Sequence, residues 1–218
     1  MRQLRPDLWE TRADAPFPGL TTHAYLWTGG AAGNVLFYSL LTDADFEALD
    51  DLAGLGGLAH QYLSHRDEAG PMLATIARRF GPRLHAPAAE IADIAEHARV
   101  DVPLTARHTD DNGIEVIPTP GHSPGSTSYL VPGADGARYL FTGDTVILGD
   151  DGRWFAGYIP PMSQAEPLAA SLRLLATLTP DMVISSAFAG EAGAHELGDR
   201  SWADCVGEAL AGLEARAG

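Results

Sequence analysis

The sequence predicts an α/β protein in which strands and helices alternate in the first half and strands dominate the second half. Its 218 residues suit a single domain, residues 1–218, of the large α/β or sandwich kind. Hydrophobic residues make up 45% of the chain and charged residues 20%, which is typical of a chain that folds around its own core.

The first half is expected to begin with a hairpin and to continue as strand and helix units. The predicted elements are strands at 23–27 and 34–40, a helix after 42–43, a strand at 58–64, a helix at 71–80, a strand at 83–86 and a helix at 88–98. Thr42 and Asp43 are candidate N-caps of the first helix. Pro71 suits the first turn of the second helix, and Gly81 followed by Pro82 predicts its end.

After about residue 100 the pattern becomes rich in β-branched and aromatic residues. The predicted elements are strands at 114–118, 127–131, 138–141 and 154–158, a helix from 163 to about 175, a strand at 182–186 and a helix at 202–216. Ser163 and Glu166 have the spacing of a capping box, and Pro180 marks a stop after that helix.

The charge balance bears on the kind of partner that the chain binds. Lys and Arg total 14 against 29 Asp and Glu, a net charge of -15 with no basic run. Nucleic acid is therefore not expected as a partner, because its binding relies on Lys and Arg at the phosphates. A small-molecule substrate is expected instead, and the oligomeric state is left open.

Cysteine content and hydropathy bear on the location of the protein. Cys205 stands alone, so an internal disulfide is excluded and a reducing compartment is allowed. The N-terminus lacks an apolar signal region, and no segment approaches the roughly 18 apolar residues of a membrane span. We therefore expect a cytoplasmic protein that does not enter a membrane.

Three segments place an imidazole or a carboxylate in a turn directly after a predicted strand. They are Leu63-Ser-His-Arg-Asp-Glu-Ala-Gly70, Thr119-Pro-Gly-His-Ser-Pro-Gly-Ser126 and Leu140-Phe-Thr-Gly-Asp-Thr-Val146. They supply His65, Asp67, Glu68, His122 and Asp144. Two imidazoles and one carboxylate from separate loops are a sufficient ligand set for zinc or for non-heme iron.

The second and third segments resemble the third and fourth motifs of the metallo-β-lactamase superfamily, in the right order and roughly 20 residues apart. The first segment lies where that superfamily has its His-x-His-x-Asp-His motif, and Pro180-Asp-Met-Val-Ile-Ser185 is similar to its last strand. The resemblance implies a four-layer αββα sandwich with a metal site at one edge of the two sheets. Within the superfamily, these motifs look most similar to the glyoxalase II-like thioester hydrolases.

The sequence departs from the superfamily at the ligands of a second metal. Asp67 stands where a second His is expected, and Ala69 and Gly70 replace the Asp-His pair. Shifting the register by two residues places Pro71 and Met72 there, and neither side chain can serve. The final Gly-His-Gly is also missing, which leaves His195 as a later substitute. The expected site is therefore degenerate and mononuclear.

The expected metal ligands are His65, Asp67, His122 and Asp144, with Glu68 and His195 as weaker substitutes. The favoured hypothesis is a hydrolase of an ester, thioester or amide, with one zinc ion and with Asp67 or Asp144 as the catalytic residue that orients the attacking water. A mononuclear iron dioxygenase of the persulfide type is one alternative, because two His and one carboxylate suit iron and oxygen chemistry. A metal-poor, non-catalytic binding module of the same fold is the other.

The remaining aromatic and imidazole side chains lack a motif. Five histidines are expected to be structural or exposed: His23, His60, His85, His97 and His108. Trp154, Phe155 and Tyr158 could either line a pocket or pack on the sandwich, and packing is the favoured interpretation.

Overall fold

The computed structural model describes residues 1–17, 20–41, 46–188 and 192–217, and its strands form two large sheets. Strands β1 to β18 and helices α1 to α5 are numbered in chain order. The first sheet has the order β1 (Arg2–Arg5), β2 (Leu8–Glu10), β5 (Tyr25–Trp27), β6 (Val35–Phe37), β7 (His60–Tyr62), β8 (Arg83–Pro87) and β9 (Val102–Leu104). The second has the order β10 (His108–Thr109), β11 (Glu115–Pro118), β12 (Thr127–Pro132), β13 (Arg138–Gly143), β16 (Met182–Ser185) and β18 (Ala194–Glu196).

Shorter strands and the helices complete the described chain. A small sheet has the order β17 (Ala187–Phe188), β4 (Leu20–Thr22) and β3 (Asp14–Phe17), and β14 (Val146–Leu148) pairs with β15 (Trp154–Ala156). The helices are α1 (Phe46–Gly54), α2 (Pro71–Phe80), α3 (Ile91–Ile94), α4 (Ala165–Leu175) and α5 (Trp202–Ala217).

The two large sheets pack face to face through the side chains that point to one side of each sheet. Val35 and Phe37 on β6 point toward the second sheet and join the core cluster that contains Tyr129 and Phe141 from β12 and β13. The rings of Phe37 and Phe141 stack with centroids 4.0 Å apart. Because neighbouring residues of a strand face opposite sides, each sheet also has an apolar outer face.

Helices cover both outer faces. Leu36 on the first sheet packs in a cluster with Leu49 of α1 and Ile76 of α2. Leu140 on the second sheet packs with Leu172 of α4 and with residues of α5. The layers are therefore helix, sheet, sheet and helix, which confirms the expected four-layer αββα sandwich.

Most of the predicted elements are confirmed, although several are shorter than expected. Strands β5 and β6 form the predicted antiparallel hairpin. Helix α2 begins at Pro71 and ends at Phe80, and it is capped by Gly81, which has the left-handed conformation and donates its N–H to Ala77 O. The proposed caps at Thr42 and Asp43 lie outside the described residues.

Three local predictions were wrong or incomplete. The helix expected at 88–98 is a 3₁₀ turn followed by the single-turn α3, because Glu90 turns inward and binds two loops. The capping box does not form, since the Ser163 hydroxyl donates to the carbonyl of His122 instead. Strands β1 to β4 were not predicted at all, because they are short and their polar residues hide the alternation.

None of the helices that the structure describes combines the length and the apolar character needed to cross a membrane.

Candidate metal centre

The loops that follow strands of both sheets meet at one edge of the sandwich. His65 follows β7 of the first sheet, and Asp144 follows β13 of the second. His122 lies in the loop between β11 and β12. The two sheets are joined near this edge, because Thr127 N donates to Ser64 O at 2.9 Å and the Tyr129 hydroxyl donates to Leu63 O.

Four of the predicted side chains converge there. The Nε2 atom of His65 lies 3.9 Å from Asp67 Oδ2 and 3.5 Å from Asp144 Oδ2. The Nε2 atom of His122 lies 3.9 Å from Asp67 Oδ2 and 3.8 Å from Asp144 Oδ2. His65, Asp67 and His122 offer ligand atoms that all lie within 4.8 Å of one another. Donor atoms bound tetrahedrally to one metal at ~2.0–2.2 Å lie roughly 3.3–3.6 Å apart. The imidazole to carboxylate separations of 3.5–3.9 Å would therefore need only a small contraction to fit an ion.

Both imidazoles are oriented with one nitrogen toward this centre. The two Nε2 atoms are buried and make no hydrogen bond within the protein. His122 Nδ1 is 2.7 Å from Gly157 O, whereas His65 Nδ1 is 2.8 Å from Ser64 Oγ and 3.2 Å from Glu68 Oε1. A histidine whose Nδ1–H is held by a carbonyl or a carboxylate presents the lone pair of Nε2, as metal-binding histidines do.

The carboxylate of Asp144 is held in the charged form. Its Oδ1 accepts from Ala187 N at 2.9 Å, while its Oδ2 faces both imidazoles. Burial alone would raise the pKa of Asp144, but the interactions with His65 and His122 outweigh burial and lower the pKa to about 2. Burial likewise opposes protonation of His65, yet Glu68 and Asp144 raise its pKa above the ordinary value. The site is thus arranged to stabilise positive charge at its centre.

Two glycines allow the loops to approach one another so closely. Gly143 has φ of 54°, and a Cβ atom there would meet Ser64 Oγ at 2.2 Å. A Cβ atom on Gly157 would meet Asp144 O at 1.8 Å. Both distances are far below van der Waals contact, so neither loop could keep its position with a larger residue.

The two weaker candidates occupy other places. Glu68 is buried on the Nδ1 side of His65, where it accepts from Ser64 N at 2.7 Å, so it faces away from the converging atoms. His195 lies on β18, opposite Val183, with its ring 6.0 Å from that of Trp154. The structure therefore brings neither of them into the group of converging side chains.

The histidines without a motif lie outside the converging group as well. His60 and His85 form a buried hydrogen-bonded pair, and His23 stacks on Phe188. Of the aromatic residues left open, Trp154 is packed in the core beneath α5, whereas Phe155 and Tyr158 line a pocket beside His122. Tyr158 also packs against the core cluster that contains Trp154, so the favoured packing interpretation is confirmed for Trp154 and Tyr158 and was wrong for Phe155, which is 37% exposed.

Glu90 supports the centre and was not predicted. It is buried, and its carboxylate accepts from Arg66 N at 2.7 Å and from Gly125 N at 3.0 Å. It thereby connects the loop of His65 to the loop of His122. The alanine-rich stretch 88–98 also contains Asp93 and Glu96, so nothing in the sequence distinguished Glu90 from its acidic neighbours.

Comparison with known proteins agrees with this fold. The Metallo-beta-lactamase superfamily matches residues 48–187, which include all four converging side chains. A hydroxyacylglutathione hydrolase of Acidiphilium cryptum is 33% identical over 123 residues, 55% of this chain and 45% of that protein. Another, from Mesorhizobium japonicum, is 37% identical over 114 residues, 52% of this chain and 41% of that protein.

A metallo-beta-lactamase from Pontibacter korlensis has a similar structure, with a TM-score of 0.74, 16% identity and 97% of each chain covered. That likeness shows the fold alone. The chain belongs to the metallo-beta-lactamase superfamily. It spans about half the length of the two curated hydrolases that it matches.

Proposed function

We propose that this protein is a metal-dependent hydrolase of esters or thioesters, with one divalent metal ion held by His65, Asp67, His122 and Asp144. The observation that carries the proposal is the pair of buried Nε2 atoms that have no partner and face two carboxylates. A buried polar atom without a hydrogen bond is costly, and a cation between these four groups would satisfy both. Imidazole and carboxylate together suit zinc or iron, and zinc is the first ion to test.

The two carboxylates differ in their surroundings and therefore in the roles that we assign. A divalent ion held by these residues would activate water as a nucleophile by lowering the pKa of that water to near 7. Asp144 is 17% exposed and is fixed by Ala187 N, so it serves as a rigid ligand. Asp67 is 43% exposed, and its Oδ1, which lies 3.9 Å from Arg66 Nε, can accept a hydrogen bond from the attacking water.

The choice of a carbonyl compound as the substrate rests on the curated relatives that the chain matches. The two curated relatives are named for a hydroxyacylglutathione, which is a thioester, so a thioester and an oxygen ester are the first compounds to assay. Water oriented between Asp67 and the centre would add to the carbonyl carbon. The C–S or C–O bond would then break, releasing the acid and the thiol or alcohol, which takes up the proton lost by the water.

The test is metal analysis combined with esterase and thioesterase assays on the purified chain. We expect about one equivalent of metal, loss of activity on chelation and recovery on adding zinc. His122→Ala should lower both metal content and activity by more than tenfold. His108→Ala is the matched control, because that exposed histidine lies outside the converging group.

Three outcomes would contradict the proposal. Full hydrolytic activity in metal-free protein would exclude a metal-dependent reaction. Less than about 0.1 equivalents of any transition metal, after expression with zinc or iron, would favour the non-catalytic module instead. Preferential iron binding with oxygen uptake in the presence of a thiol-derived substrate would favour the dioxygenase.

A further inference from the structure

A small apolar pocket opens directly beside the candidate metal centre. Its volume is about 240 Å³, and His122 and Asp144 form part of its wall. The remaining wall is largely apolar and includes Ile147, Phe155, Tyr158, Ile159 and Phe188. A larger cavity of about 410 Å³ is lined by none of the four converging residues.

Exposed hydrophobic side chains concentrate at the same place. Within the described residues, the large hydrophobic side chains that remain exposed are Phe155, Ile159 and Met162. The first two line the pocket, and Met162 follows three residues later. Apolar side chains left exposed in one cluster mark a binding site. The pocket is smaller than the ~300–1,000 Å³ of sites that enclose a whole drug-sized ligand, so it suits one apolar group of a substrate.

One cation lies on the wall of this pocket. Arg216, near the end of α5, and the ligand Asp144 are the charged residues among those that line it. This is unusual in a chain with a net charge of -15. Among the described residues, a substrate group that extends into the pocket away from Asp144 therefore meets a largely apolar surface with one cation, Arg216.

Arg216 is held in position by two backbone carbonyls and an aromatic ring, and some of its N–H donors stay available to bind a ligand. Its guanidinium donates to the carbonyls of Ala156 and Tyr158 and lies 5.6 Å from the centre of the Tyr158 ring. A guanidinium has five N–H donors in a rigid plane, and these two contacts use only some of them. An arginine fixed in this way loses little entropy on binding a carboxylate with its remaining donors.

We infer that the pocket binds an acyl group that is apolar along its length and ends in a carboxylate, with that carboxylate bound by Arg216. This inference rests on the proposed function, because it places the reacting carbonyl at His122 and Asp144 and the acyl chain along Phe155 and Ile159. The preferred substrates are then monoesters or monothioesters of dicarboxylic acids.

The test compares acyl groups of equal length with and without the terminal carboxylate. Suitable probes are p-nitrophenyl butyrate, hexanoate and octanoate beside the p-nitrophenyl monoesters of succinate, adipate and suberate. We expect a higher kcat/KM for the carboxylate-bearing ester at one length at least. Arg216→Met should remove this preference, a relative loss of at least about tenfold, whereas Arg216→Lys should retain part of it.

Arg173→Met is the matched control, because Arg173 is an exposed arginine on α4 that does not line the pocket. It should leave the preference unchanged. Equal losses on both members of each pair in Arg216→Met would mean that Arg216 only supports the 156–158 segment, and would overturn the inference. So would the absence of a preference at every length, even though hydrolysis itself would still support the proposed function.

A binding measurement decides the inference independently of catalysis. Calorimetry with adipate and hexanoate, and with their longer and shorter homologues, should show tighter binding of a dicarboxylate to the wild type than to Arg216→Met. If no ester is hydrolysed, this difference would still support the pocket assignment while the proposed function fails. Equal binding of each dicarboxylate to the wild type and the variant would overturn the assignment.

Discussion

Glu68 is adjacent to His65 on the side opposite the candidate metal. Its Oε2 accepts from Ser64 N, and its Oε1 lies 3.2 Å from His65 Nδ1. The Ser64 hydroxyl donates to the same carboxylate and also lies beside the imidazole. Glu68 thus fixes the orientation of His65 without facing the converging atoms, as a carboxylate does when it holds a histidine that binds a metal.

Replacing that carboxylate by an amide should weaken metal binding. Glu68→Gln keeps the shape of the side chain but provides one acceptor oxygen where two are used. We expect the Kd for zinc to rise by about 10- to 100-fold, the range for loss of such partners. Competition with a chromophoric chelator measures this directly.

Glu96→Gln is the control for this prediction, because Glu96 is an exposed carboxylate outside the site. Its zinc affinity should equal that of the wild type. If Glu68→Gln also bound zinc as tightly as the wild type, the assigned role of Glu68 would be wrong.

The parallel strands β7 and β8 carry a second pair of imidazoles. His60 Nδ1 lies 2.9 Å from His85 Nε2, and the His85 ring stacks on Tyr62 with centroids 4.0 Å apart. Burial lowers the pKa of His85 to about 3, with further contributions from His60, Arg83 and His108. Burial also lowers the pKa of His60. This pair is therefore neutral in the folded protein at neutral pH.

The lowered pKa of His85 predicts that the free energy of unfolding decreases in mild acid. An unfolded chain binds a proton at His85 below pH ~6.5, whereas the folded chain does not until the pH nears 3. The contribution of His85 to the free energy of unfolding is therefore fully present above pH ~6.5 and is lost as the pH falls from there toward 3. For this one group the slope reaches at most about 1.4 kcal/mol per pH unit.

Urea unfolding of metal-free wild type and His85→Gln between pH 7 and pH 4 measures this slope. The wild type should lose more stability than the variant, because other titrating groups are common to both. His97→Gln should behave like the wild type. Parallel curves for the wild type and His85→Gln would contradict the assigned burial effect.

Element prediction succeeded where local signals and tertiary contacts agree. Pro71 and Gly81 bound α2 because their fixed backbone preferences act whatever surrounds them. The segment after Ala88 has helical composition, yet Glu90 is drawn inward to two loop amides and leaves only a short helix. Ser163 likewise has a capping sequence, but the carbonyl of His122 offers it a tertiary partner. Composition alone cannot reveal such distant partners.

Across the whole molecule, the candidate site combines loops from both sheets. The motifs around His122 and Asp144 are sufficient to place those residues from sequence, since each lies in a short turn of distinctive composition. The place of Asp67 depends on how the loop after β7 turns, which the broken motif does not specify. The pocket wall from Phe155 to Ile159 and the return of α5 to it depend on packing between segments distant in sequence.

Because the four converging residues come from loops of both sheets, metal binding should stabilise the entire fold. An ion that binds only the folded chain adds about 2.7 kcal/mol when its free concentration is 100 times Kd. For a domain of this size that corresponds to an increase in Tm of roughly 5–10 °C. Thermal unfolding with added zinc, compared with a chelator, measures the effect.

The acidic surface makes a control essential for this measurement. With a net charge of -15, weak binding of divalent ions elsewhere would also raise Tm somewhat. His122→Ala keeps that surface but removes one of the buried Nε2 atoms, so its Tm should respond to zinc far less than the wild type. His108→Ala should respond as the wild type does. An equal increase in all three proteins would place the stabilising ion outside the candidate centre, and the mononuclear site would then be wrong.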